Sequence, residues 1–175
     1  MPVFFLLNRY CRNRPNEEST FHLLALVCEK LGHLRFAEAL VERSIAILET
    51  VYEETEDPEI EKRYAIANAT LGRLRLSQGD ITGSLTSFES VLGLLLEKED
   101  ETLDVLRVQV HLGLGLAHFM HGDPESAIGI LEEGLIHATE NLALRGQITI
   151  VLAQVIWSSG TDECKETAKS RVLEW

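Results

Sequence analysis

Residues able to do chemistry are sparse in this 175-residue chain, and their spacing limits what they could do. His118 and His121 stand three apart, with His111 seven residues earlier. Histidines at helical spacing invite a metal ion. No Cys or carboxylate completes a ligand set nearby, and a His in a last helical turn also complements the helix dipole. A structural role is therefore the reading taken for them. Cys11, Cys28 and Cys164 are far apart and form no CxxC pair, which points to reduced thiols in an intracellular setting. Cys28 reads as a buried, inert thiol. Gly113-x-Gly115 lacks the preceding strand that a dinucleotide loop needs. No GxSxG, P-loop, HExxH or GxGxxG pattern occurs. The expectation is a protein that is not an enzyme, with no catalytic residue, no metal and no cofactor.

The elements that carry these residues are helical. Hydrophobic residues make up 45% of the chain but aromatics only 6%, so the core must be built from Leu, Ile, Val and Ala. Only 4 Pro are present, which permits long helices. The net charge of −12 repels phosphate backbones and argues against direct nucleic-acid binding, while leaving room for a basic protein partner. The apolar run Val3 to Leu7 is too short for a signal peptide or a membrane span. The expectation is a cytoplasmic or nuclear protein without membrane or small-molecule ligands.

Internal repetition organises the chain. Leu24-Ala25-x-x-Cys28-x-x-x-Gly32, Leu71-Gly72-x-x-Arg75-x-x-x-Gly79 and Leu114-Gly115-x-x-His118-x-x-x-Gly122 align with one another. A small residue follows each turn glycine at the same offset: Ala37, Ser84 and Ala127. A larger one follows four later: Val41, Phe88 and Leu131. Small residues at matched points let antiparallel backbones come close, and the larger residue fills the space beside them. This is the tetratricopeptide pattern. It predicts an all-α fold, a right-handed α-solenoid of antiparallel helical hairpins. The turn glycines stand further apart than the standard repeat of roughly 34 residues, so helices must lengthen into the acidic joints at 53–59 and 97–101.

The coarse helix reading is 2–13, 18–31, 34–54, 59–78, 81–97, 101–121, 124–138, 141–158 and 161–174. Residues 1–15 read as the second helix of a preceding, incomplete repeat, with Pro15 at its end. The apolar Phe4 to Leu7 suits an excerpt from a longer array, because the ends of such arrays are usually polar. Repeats follow at 18–54, 59–98 and 101–140, and 141–175 reads as a degenerate or capping pair.

Helical phase names the residues of the concave face: His22, Leu26, Glu29, Ile66, Arg73, Leu76, Gln109, Leu112, Leu116, Phe119, Gln154 and Trp157. Repeat packing falls to Ala25, Gly32, Ala37, Gly72, Gly79, Ser84, Phe88, Gly115, Gly122 and Ala127. The face is mixed and largely apolar, and it lacks the Lys/Asn set that clamps a C-terminal carboxylate in chaperone-binding arrays. An apolar groove suits a helix or an extended segment of a partner protein. Packing against neighbouring turns of a larger superhelix stays open as a second role for these residues. The acidic joints read either as solvated surface or as a negative rim.

Two stretches carry a more specific resemblance. Leu26-Val27-Cys28-Glu29-Lys30-Leu31-Gly32 with Ala37-Glu38-Ala39-Leu40-Val41-Glu42-Arg43-Ser44-Ile45, and the block from Tyr52 to Leu76, are similar to the tetratricopeptide scaffold subunit of the fungal superkiller complex. The resemblance implies a non-catalytic scaffold that supports helicase-driven 3′-to-5′ mRNA decay by the cytoplasmic exosome. It implies as partners a DExH-type RNA helicase, WD40-propeller subunits and a bridge to the exosome. The alternative reading is an independent adaptor that binds a peptide or helix of a chaperone or signalling partner.

Overall fold

The structure, a computed structural model, describes residues 14–96, 100–138, 141–160 and 162–173. Among them are eight α-helices, one short 3-10 turn and no strand. The all-α expectation is borne out. The chain divides into two compact units, Met1–Gln78 and Gly79–Trp175. Among the described residues no helix is long and apolar enough to cross a membrane.

The first unit holds α1 (Arg14–Lys30), α2 (Leu34–Thr55) and α3 (Pro58–Gln78). Helix α1 starts earlier than the pattern placed it, and Pro15 lies in its first turn, where a missing N–H is least costly. The helix read for 2–13 falls outside the described residues, and of the half-repeat read for 1–15 only Arg14 and Pro15 are described, where they open α1 and do not close an earlier helix. Helix α1 ends on Gly32 at φ +80. The Gly32 N–H donates to the Glu29 carbonyl at 2.9 Å and the His33 N–H to the Cys28 carbonyl at 2.8 Å, the paired bonds of a Schellman stop. Ala25 on α1 and Ala37 on α2 have no exposed surface, so the hairpin closes through two methyl groups. Around them Val41, Ile45, Leu48, Ile60, Ala67, Leu71 and Leu74 join the three helices in one apolar cluster.

The joint after α2 turns on an unusual residue. Glu56 takes φ 50, a left-handed conformation without a glycine, and its N–H donates to the Tyr52 carbonyl at 2.8 Å. Pro58 then opens α3, and the Asp57 carboxylate accepts the Glu59 N–H at 2.9 Å.

The second unit holds α4 (Ile81–Leu96), a 3-10 turn (Glu101–Leu103), α5 (Asp104–His121), α6 (Pro124–His137), α7 (Leu142–Ser158) and α8 (Asp162–Leu173). Helix α5 stops on Gly122 at φ 91 with the same bond pair as at Gly32. Asp123 then caps α6 by accepting the Ser126 N–H at 3.1 Å, with Pro124 in the first turn.

Helices α5 and α6 approach through glycines. A Cβ added to Gly115 would lie 2.6 Å from Leu131 Cγ, and one added to Gly134 would lie 2.7 Å from His111 Cβ. Gly113, on the same helix, faces the Phe88 ring of α4 at 2.3 Å from such a Cβ. Leu131, Ile148, Leu152 and Val155 are fully enclosed in this unit's core.

The described part of the second acidic joint is held from within. Arg107, 8% exposed, donates to the Leu95 carbonyl at 3.3 Å, the Asp100 carbonyl at 2.9 Å and the Asp104 carboxylate at 2.6 Å. A buried guanidinium thus satisfies a carbonyl at the end of α4, where positive charge suits the helix dipole.

Two stability changes are expected. Gly115→Leu should overpack α5 against α6 and cost about 1–3 kcal/mol or more, read as a lower midpoint in thermal unfolding followed by circular dichroism. Glu56→Gly should relieve the left-handed position and add about 0.5–1 kcal/mol. A urea midpoint that stays put or falls would contradict that assignment.

Candidate protein-binding surface

In the first unit the surface residues are positioned by α1 and α3. Glu18 pairs with Arg63, and eleven residues along α1 Glu29 pairs with Arg73. The two pairs span 45 and 44 residues of sequence. Both partners step forward together, so the helices run parallel and in register. Between the pairs lies a hollow of about 280 Å³ lined by Glu18, Ser19, His22, Leu23, Arg63 and Ile66.

The floor of this hollow is polar but closed on itself. Glu18 is only 3% exposed. Its carboxylate accepts from the Ser44 hydroxyl of α2 at 2.9 Å and from the Arg63 guanidinium, and Arg63 also donates to the Ser19 hydroxyl. Three helices therefore meet at one buried carboxylate. Burial, the largest influence, pushes the His22 imidazole below its usual value, against a smaller opposing pull from Glu18. At neutral pH the hollow presents an uncharged ring. Its walls are apolar and open, with Leu23 63% and Ile66 38% exposed.

The other residues named for this face are distributed as follows. Leu26 and Leu76 are half-buried. In the second unit Gln109 and Gln154 are exposed on α5 and α7, and Leu116 is half-buried. Leu112 and Phe119 pack against the core of that unit, so they serve as much inside as outside. The Trp157 ring lies 6.0 Å from the Lys165 ammonium of α8, a cation–π contact. His22 and Ile66 are the expected residues brought into one hollow, while Glu29 and Arg73 pair beside it. Of the packing residues, Ala25, Ala37, Ser84 and Ala127 have no exposed surface, Phe88 is 2% exposed, Gly72 and Gly115 are buried, and Gly79 has φ 82.

Glu18, Ser19 and Arg63 escaped the sequence reading. The signal was present: opposite charges separated by one lengthened repeat, twice over. That signal lies across two helices, and phase along one helix does not carry it.

The three histidines of α5 sit in different surroundings. The His118 Nδ1 lies 3.8 Å from Asp123, and His121 is exposed. His111, 3% exposed, donates from Nδ1 to the Arg107 carbonyl at 2.7 Å and stands with its ring centroid 5.7 Å from that of His137. Its Nε2 faces Glu133 at 3.8 Å. Among the described residues no group of three or more His, Cys, Asp or Glu is placed to hold a metal.

The repeats of a Podospora anserina kinesin light chain superpose with a TM-score of 0.71 at 18% identity, over 91% of this chain and 74% of that one. MamA superposes with a TM-score of 0.60 at 14% identity, over 96% of this chain and 80% of that one. The fold is the tetratricopeptide repeat. No family model matches the sequence. The tetratricopeptide chain is 26% identical over 170 residues to Superkiller protein 3 of Schizosaccharomyces pombe, and 25% identical over 169 residues to that of Saccharomyces cerevisiae. Either alignment covers 97% of this chain and 12% of the relative. These matches bear out the resemblance, which the residues carry best over about 20–96, and they run along nearly the whole chain.

Acid should weaken the tetratricopeptide units. Burial, first among several influences, holds the His111 imidazole below its usual value of 6.5. The unfolded chain therefore takes up a proton that the native state resists. Stability is full above about 6.5 and is lost as pH falls from there through the depressed native value. Urea midpoints should fall between pH 7.5 and 5.5, and His111→Gln should reduce that fall. An unchanged slope in the variant would remove His111 as its source.

Proposed function

We propose that this chain is part of a non-catalytic scaffold that supports helicase-driven 3′-to-5′ mRNA decay by the cytoplasmic exosome. A protein-interaction scaffold is the role that the fold and the relatives support in common. The observation that carries the finer reading is the similarity to Superkiller protein 3 along 97% of the chain in two yeasts. On this reading the partners are a DExH-type RNA helicase and WD40-propeller subunits, with a bridge to the exosome, and the setting is cytoplasmic. The surface chemistry suits such work: open apolar walls stand beside ion pairs already formed between α1 and α3.

Affinity capture of the tagged protein from the cells that make it tests this. An RNA helicase and a propeller protein should be recovered together, and exosome subunits with them under mild washing. Recovery of neither helicase nor propeller overturns the reading.

A further inference from the structure

The start of α5 and the end of α6 are joined by a closed circuit of four residues. Arg107 donates to the Asp104 carboxylate at 2.6 Å, and the His137 Nδ1 lies 3.8 Å from the same oxygen, Oδ1. The His137 ring stands 5.7 Å, centroid to centroid, from that of His111. The His111 Nδ1 closes the circuit by donating to the Arg107 carbonyl at 2.7 Å. Asp104 is the first residue of α5 and His137 the last of α6. Gly134, one turn before His137, is the point where α6 comes against the Cβ of His111. The two rings therefore sit at a crossing that has no slack.

The two imidazoles differ in what a proton would meet. The His137 side chain is 37% exposed, so a proton there has Asp104 opposite it and water around it. Positive charge also suits the last turn of a helix. The His111 side chain is 4% exposed. Its Nδ1 already donates, so a second proton goes to Nε2, where the Glu133 carboxylate at 3.8 Å is too far to accept a hydrogen bond. Burial is the largest influence that keeps this proton off, and charge on His137 and Arg107 adds to it. Helix α4 reaches the circuit through the Leu95 carbonyl on Arg107, and α7 through Ile148 beside Gly134. The charged and titratable groups facing His111 are thus Arg107, Glu133 and His137. Two positive rings this close, one of them nearly out of water, repel. The pair accommodates one proton in place and a second only by moving apart.

We propose that His111 and His137 form a proton-operated latch on the α5/α6 hairpin. With at most one proton between the rings, the last turn of α6 stays docked on α5. A second proton parts the rings, and Asp104 and Arg107, which belong to the same circuit, release the 3-10 turn with them. The open form binds the second proton and the closed form resists it, so opening is favoured as pH falls below about 6.5. The latch differs from a general sensitivity to acid: it acts at one end of one hairpin, and it needs both histidines. It does not depend on the scaffold reading.

Histidine-resolved nuclear magnetic resonance and amide hydrogen exchange of the whole chain, between pH 7.5 and 5, test it. His137→Gln keeps a polar group at a partly exposed site and removes one of the two charges. In that variant His111 should take its proton at a higher pH than in the unaltered protein. Amide protection in the unaltered protein, corrected for intrinsic rates, should fall at least about tenfold more at 108–111 and 134–138 than along α1 and α2. The difference should disappear in His137→Gln. An unchanged or lower His111 midpoint in the variant overturns the latch, as does a local loss of protection that persists without His137. An even loss over both units also overturns it, and leaves His111 as a source of general acid lability only.

Discussion

Close approach of helix backbones is the constraint on which everything else in this molecule depends. Two helix backbones can come closest only where one of them has almost no side chain at the crossing. Gly115 under Leu131 and Gly134 against His111 meet that requirement twice in α5 and α6. Ala25 and Ala37 meet it with methyl groups in the first hairpin. Where the spacing is this tight, the larger residues have a single way to fit, and the apolar content of an aromatic-poor chain suffices to hold the hairpins.

Charge is used inside the hairpins as well as on them. Glu18, Glu29 and Arg107 each sit largely out of water with a partner of opposite sign or a carbonyl in reach. Such groups contribute little net stability, because desolvation offsets much of their attraction. Their value is positional. Glu18 can meet Ser44 and Arg63 together in only one register of the three helices, and Arg107 ties the approach of α5 to the end of α4. The same arrangement decides which sign the groove shows to solvent.

Much of this was legible beforehand. Turn glycines and matched small residues gave the hairpins, because a left-handed stop and a close crossing each restrict residue type severely. The joints were less legible. Glu56 adopts a conformation that its type disfavours, so nothing local announces it. Arg107 acts through carbonyls, which every residue possesses. The groove was half-legible: helical phase found His22, Ile66 and Arg73, but it could not say which member of each ion pair would be buried. Nothing in the spacing of Gly113 announces its neighbour across the helices, the aromatic ring of Phe88.

That ring has a consequence for the chain as an assembly of similar parts. Phe88 extends into the space where Gly113 has no side chain, so the volume added on one helix is removed from the next. The positions equivalent to Gly113 in the neighbouring repeats are Leu23 and Thr70, which offer no such vacancy. The modules look interchangeable by their shared pattern, yet this seam admits one neighbour. Shuffling, duplicating or deleting a hairpin here would bring together surfaces that were never shaped for each other. At the α4/α5 seam the order of neighbours is thus written into side-chain volume as well as into covalent connection.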